Sequence, residues 1–141
     1  LLPMPQLSFH LTWSEAMSEH RIILECGSGN DLYGEDYTKA ACRAVQDALH
    51  HSSITLFRHL EVDHRSMRVQ VTIGVQMPEK VDAAIVAAEL PRGYAEVHVV
   101  HGGLNVHDAI LDTTHVIATA AIEAYVSMNA AAWKIASSAC Q

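Results

Sequence analysis

The hydrophobic and polar positions alternate most regularly where Met67, Val69, Val71, Ile73 and Val75 interleave with Arg68, Gln70, Thr72 and Gly74. A period of two over this length predicts a half-buried β-strand. Residues 21–26 begin with the apolar, β-branched run Arg21-Ile22-Ile23-Leu24 and stop at a glycine, which predicts a second strand. Ala40, Ala41, Ala44, Val45, Ala48 and Leu49 then recur at helical spacing, so a helix is expected from about 36 to 51, capped by Asp36 or Thr38 and fraying at His50-His51-Ser52-Ser53. Ile54, Leu56, Phe57 and Leu60 fit either a short helix or an irregular strand, and Asp63-His64-Arg65-Ser66 reads as a polar turn. Pro78-Glu79 opens a helix with the stripe Val81, Ala84, Ile85 and Ala88, which Leu90-Pro91-Arg92-Gly93 ends. Residues 94–100 predict a third strand, stopped at His101-Gly102-Gly103, and residues 105–108 a polar loop. From Asp112 or Thr113, the positions Val116, Ile117, Ala120, Ala121 and Ala124 predict a long helix that extends or restarts over 129–139.

Strand and helix thus alternate three times, a βαβαβα order that predicts one α/β domain with helices packed on a small sheet. The domain is expected to span 17–141, with 1–16 as an N-terminal extension containing Pro3 and Pro5. At 141 residues, 50% of them hydrophobic, the chain can bury a proper core. Three strands leave open sheet edges, and alanine-rich helices allow close packing between chains, so a homo-oligomer is expected. A net charge of −7, from 9 basic and 16 acidic residues, argues against a nucleic-acid partner. No apolar run is long enough to span a bilayer. Cys26, Cys42 and Cys140 match neither a metal motif nor an even disulfide framework, which points to a reduced, cytoplasmic setting.

The chemistry concentrates in Glu25-Cys26-Gly27-Ser28-Gly29-Asn30-Asp31-Leu32-Tyr33-Gly34. Between a strand and a helix, this stretch reads as a glycine loop whose free N–H groups and helix dipole face a ligand. It lacks the third glycine of a dinucleotide fingerprint and the Gly-Lys-Ser/Thr of a phosphate loop. It does hold the carboxylates Glu25 and Asp31 beside Lys39 and Arg43, four residues apart and so on one helical face. The competing reading is structural: Gly27, Gly29 and Gly34 permit a tight connection, and the cations pair with Glu35, Asp36 and Asp47. His101, at a strand end on a glycine turn, is the better candidate base. His98, His101 and His107 with Asp31, Asp108 or Glu25 would suit zinc, manganese or iron, but their spacing matches no metal motif, and neither metal nor cofactor is assigned. Cys26, near a helix N-terminus, is a candidate nucleophile, and Cys42 is expected to pack against the core.

Gly27-Ser28-Gly29-Asn30-Asp31-Leu32-Tyr33-Gly34 resembles the G-x-G-x-D-x-H-G signature of the Lin-type conserved hypothetical family. Asp36, Thr38 to Ala41, Arg43 to Val45, Asp47-Ala48, Leu90-Pro91, Gly93 and Gly102-Gly103-Leu104 continue the likeness over roughly 21–128. The family's histidine is Tyr33 here, so any role that histidine has as ligand or base is altered or lost. A weaker similarity links the strand, Gly29-Asn30 and Asp36-Tyr37-Thr38-Lys39 to a repeat unit of the ring-opening amidohydrolases that act on cyanuric acid and barbiturate. The serine of that family, its nucleophile candidate, falls on His101, so the resemblance does not carry its covalent mechanism over.

These readings lead to a small-molecule enzyme, with Asp31, His101 and Glu25 as catalytic candidates. Gly27, Ser28, Gly29, Asn30, Tyr33, Gly34, Lys39, Arg43, Gly102 and Gly103 would bind an anionic, amide- or imide-like substrate, in the manner of a hydrolase. The alternative is a non-catalytic ligand-binding protein, or a structural subunit beside a paralogous chain. If the strands over 21–26 and 94–100 are parallel, the loop at 27–34 and the turn at 101–103 share one sheet edge and one pocket, with Asp31 facing His101.

Overall fold

Period-two patterning dominates the computed structural model, which describes residues 18–50, 67–90 and 94–128. The expected extension at 1–16, the ambiguous 54–61, the turns at 63–66 and 91–93 and the continuation over 129–139 lie outside the described residues. Five strands and two helices follow in the order β1 (Ser18–Asp31), α1 (Tyr37–His50), β2 (Arg68–Val75), a 3-10 turn (Pro78–Lys80), α2 (Ala83–Ala87), β3 (Tyr94–His101), β4 (Leu104–Asp108) and β5 (Thr113–Met128). The class is α/β, with helices packed on a small sheet, as the sequence implies.

The sheet order is β1-β5-β2-β3, and β4 pairs with β5 beyond the end of β2. β5 is antiparallel to β1, β2 and β4, whereas β2 and β3 are parallel. Four strands therefore run one way and β5 alone runs back between them. The long helix expected from Asp112 or Thr113 is in fact β5, and the polar loop at 105–108 is β4. Alternation explains this. Val116, Ala118, Ala120, Ile122, Ala124 and Val126 are buried, while the odd-numbered residues between them form the other face. Alanine favours helices in isolation, but here it keeps the central strand thin beneath α1.

α1 covers one face of the sheet. Its Ala40, Ala41, Ala44, Val45 and Ala48 have no exposed surface, and neither do Val71, Ile73 and Val75 of β2. The approach is closest at β1: a Cβ on Gly29 would lie 2.3 Å from Ala44 N, and one on Gly27 2.4 Å from Ala48 N. Residues 27–31 of the expected glycine loop at 27–34 are therefore the second half of a long strand, β1, and Gly27 and Gly29 make room for a helix. On the outer edge of β1, Asp47 of α1 accepts the Ser28 N–H through Oδ2 at 3.0 Å.

α2 is capped by Asp82, whose Oδ1 accepts the N–H groups of Ala84 and Ile85. Between β3 and β4 the chain crosses the end of β2 on Gly102 and Gly103. Gly103 has φ +59°, and a Cβ there would lie 2.3 Å from the Ile117 carbonyl oxygen. Gln76 fastens this crossing by donating from Nε2 to the carbonyls of Gly102 and Gly103 at 3.0 and 3.1 Å. No helix among the described residues is long and apolar enough to cross a membrane.

The contact between β1 and α1 yields a direct expectation. Gly29→Ala should lower the unfolding free energy by about 3 kcal/mol, because the added methyl meets helix backbone rather than a movable side chain. Urea denaturation measures it, and an unchanged midpoint would contradict the packing described.

Candidate functional site

After β1 ends at Asp31, the chain turns through 32–36 into α1, and Asp31 organises that turn. Its side chain points to the helix-covered side and the residue is 6% exposed. Oδ2 accepts the Asp36 N–H at 2.9 Å, and Oδ1 lies 3.5 Å from Arg43 Nη1. Gly34 passes so close that a Cβ would come within 2.8 Å of Asp31 Oδ2. Asp36 in turn accepts the Lys39 N–H at 3.0 Å and caps α1. Glu35 adopts a left-handed backbone, φ 50°, and its Oε1 accepts the Thr114 N–H at 2.9 Å, tying the turn to β5.

A recess of about 500 Å³ opens over this turn, lined by Asn30, Asp31, Leu32, Tyr33, Gly34, Asp36, Lys39 and Arg43. Arg43 is preset there, donating from Nη1 to the Asn30 carbonyl at 2.6 Å while paired with Asp31. The exposed Lys39 side chain has no ion pair or hydrogen bond among the described residues. Tyr33 stands 73% exposed at the rim, its ring set edge-on to His115, with centroids 6.0 Å apart.

His115 is the residue that sequence reading missed, because it was assigned to a helix. Its Nδ1 lies 2.6 Å from the Leu32 carbonyl, which can only accept, so Nδ1 donates to it. Nε2 then faces Asp108 Oδ2 at 3.6 Å. The N–H groups of Leu111 and Ile110, which Asp108 accepts, together with His115, hold the Asp108 carboxyl below the usual range. The signal was the alternation of Thr113, His115 and Ile117 with Thr114 and Val116. Beneath the hairpin, Asn105 donates to the buried Tyr37 hydroxyl at 2.6 Å.

The expected shared pocket divides in two. β1 and β3 do run the same way, and Gly27 and Ser28 line a shallow depression of about 580 Å³ together with His101 and Gly102. That depression lies on the helix-free face of the sheet, beside Cys26, Thr72 and Thr119. Asp31 is on the opposite, helix-covered side, so it does not face His101. Gly29 is sealed under α1, Gly103 serves the crossing, and Glu25 lines neither recess.

The other candidates also have structural addresses. Cys26 is exposed in the middle of β1, opposite Ala121, and not beside a helix N-terminus. Cys42 packs against the core, and burial, then the carboxylates of Glu89 and Asp36, push its thiol up, away from the reactive thiolate. His98 pairs with Glu96 at 3.0 Å and His107 approaches Asp112 at 3.5 Å. Among the described residues no three His, Cys, Asp or Glu side chains converge on a point that would hold a metal ion.

The sequence profile of a family described as conserved hypothetical protein (Lin0512_fam) matches residues 21–124. Among solved structures, the chain is similar to an FtsZ-like protein of unknown function from Nostoc punctiforme. The two are 31% identical, the match covers 79% of this chain and 99% of that one, and the TM-score is 0.69. No curated protein matches the chain.

Two expectations follow from this geometry. Asp31→Asn should cost about 1–2 kcal/mol of stability, since it removes a nearly buried charge that braces Arg43; urea unfolding tests it, and no loss would contradict the bracing role. Asp108 stabilises the fold as a carboxylate, so its contribution is present above pH ~4, the ordinary value, and fades as the pH falls through the lower folded value. Wild type and Asp108→Asn should therefore differ in stability at pH 6 and converge towards pH 2; parallel curves across that range would contradict the assignment.

Proposed function

Since the chain belongs to the Lin0512 family of conserved hypothetical proteins, we propose, from the recess at the end of β1, that it binds a small anionic ligand there, in a reducing compartment such as the cytoplasm. One observation carries the reading: Lys39 and Arg43 open one helical turn apart into the same recess, Arg43 held in place and Lys39 without a partner among the described residues. A preset guanidinium beside an available ammonium supports recognition of a carboxylate or a deprotonated imide. The exposed phenol of Tyr33 adds a donor and an apolar ring face at the rim. Asp31 and Asp36 balance the two cations, which favours a monoanion over a multiply charged phosphate.

Binding has more support than catalysis by Asp31. Both oxygens of that carboxylate already serve the turn and Arg43, which leaves it poorly placed as a general base. A hydrolytic role would draw on the His115–Asp108 pair, yet both ring nitrogens of His115 face protein groups.

Titration calorimetry with acetate, malonate, benzoate and barbiturate tests the proposal. At least one should bind saturably, and Lys39→Ala should weaken it about tenfold or more without changing the thermal midpoint. No saturable binding by any of the four, or undiminished binding by the variant, would refute it.

A further inference from the structure

α1 and α2 cover one face of the sheet, and no helix among the described residues covers the other. That second face carries an internal division. Towards the start of β1 it is charged: Arg21 pairs with Glu123 at 3.1 Å, and Arg68 with Glu19 at 2.6 Å and Glu96 at 3.9 Å. Arg68 also lies over the Tyr125 ring at 4.3 Å. This network crosses all four strands with both signs present. Towards the end of β1 the same face is made mainly of small or apolar groups, including Ser28, Thr119, Ala121 and the half-exposed Leu24 and Val100, with Asp47 at its outer rim and the His115–Asp108 pair at its far end.

We infer that the helix-free face of the sheet docks a second copy of this chain, face to face. Three observations favour that occupant. The charged half holds Arg21, Arg68, Glu19, Glu96 and Glu123 together, so a two-fold rotation can set acid against base while both copies present the same patch. The other half is low in relief. Gly74 contributes no side chain to it and is itself buried beside Thr119, so the surface there is flat and another sheet can lie against it. The size also suffices: four strands about 4.8 Å apart and eight residues at about 3.3 Å give a plane of roughly 500 Å² per copy. Two copies then bury about 1,000 Å², the lower bound for a specific interface, before side-chain relief is added. The depression lined by Ser28, Thr72, Thr119 and His101, open to solvent on one copy, becomes an enclosed chamber between two.

Cys26, exposed on this face, reports on the docking. Light scattering on the full chain at about 10 µM, combined with iodoacetamide labelling of the Cys26 peptide followed by mass spectrometry, is the test. A multiple of the monomer mass is expected, with Cys26 labelling at least tenfold slower than in Ala121→Glu, which should run as a folded monomer by circular dichroism. If Ala121→Glu fails to fold, Leu24→Asp, at a position already half exposed, replaces it. Lys39→Ala should keep the wild-type mass, which separates this result from the fate of the anion recess. A monomeric wild type overturns the inference, including one whose Cys26 is shielded by another part of its own chain. An oligomer in which Cys26 labels as fast as in the variant overturns it too, by placing the contact elsewhere.

Discussion

The structure depends on how closely α1 lies on β1. Helix backbone sits directly against Gly27 and Gly29, where even one methyl group on either glycine would collide with it. That contact fixes the height of α1 above the sheet, and the height fixes everything downstream. Alanine is what fits on the helix and on β5 below it. The turn from Asp31 to Asp36 must be tight, and Asp31, Gly34 and Arg43 are arranged to make it so. The candidate recess is a by-product of that turn: its cations are on α1 because α1 begins immediately after β1 ends.

Much of the fold was legible from pattern alone. β2 shows uninterrupted alternation, and α1 shows helical spacing of alanines ended by polar residues. The glycine signature was misassigned locally, since glycine followed by polar residues usually marks a loop. Here the absent side chains face a helix, which only the tertiary arrangement reveals. β5 was misread for a related reason. Alanine carries helical propensity, yet its placement in a central strand answers the same need for thinness. The cluster of Asn30, Asp31, Tyr33, Gly34, Lys39 and Arg43 was legible because it is nearly contiguous in the chain. The pairing of His115 with Asp108 was not, because a hairpin absent from the expected topology delivers it.

The two ends of the sheet divide the chemistry. Titratable groups near the anion recess are braced by backbone: Asp31 by Asp36, Asp108 by Leu111 and Ile110, His115 by Leu32. At the opposite end, where β1 begins, they are braced by each other. The Tyr125 hydroxyl donates to Glu123 at 2.6 Å and, with Arg21, holds that carboxyl below its ordinary range. Glu123 pushes the Tyr125 phenol up in return. Backbone bracing makes a rigid site, whereas side-chain bracing makes a surface whose partners can be exchanged.

The bond from Ser28 N–H to Asp47 has a consequence for how far the sheet can grow. Among the described residues β1 is an outer strand, and an outer strand with free amides is a template for any extended chain that drifts past. Here the helix that covers the face also reaches around the rim and occupies one of those amides. A foreign strand seeking to add at this point must first displace a carboxylate anchored on α1. The protein thus carries, in one side chain, a local guard against templated polymerisation, placed where two glycines would otherwise leave the backbone most bare.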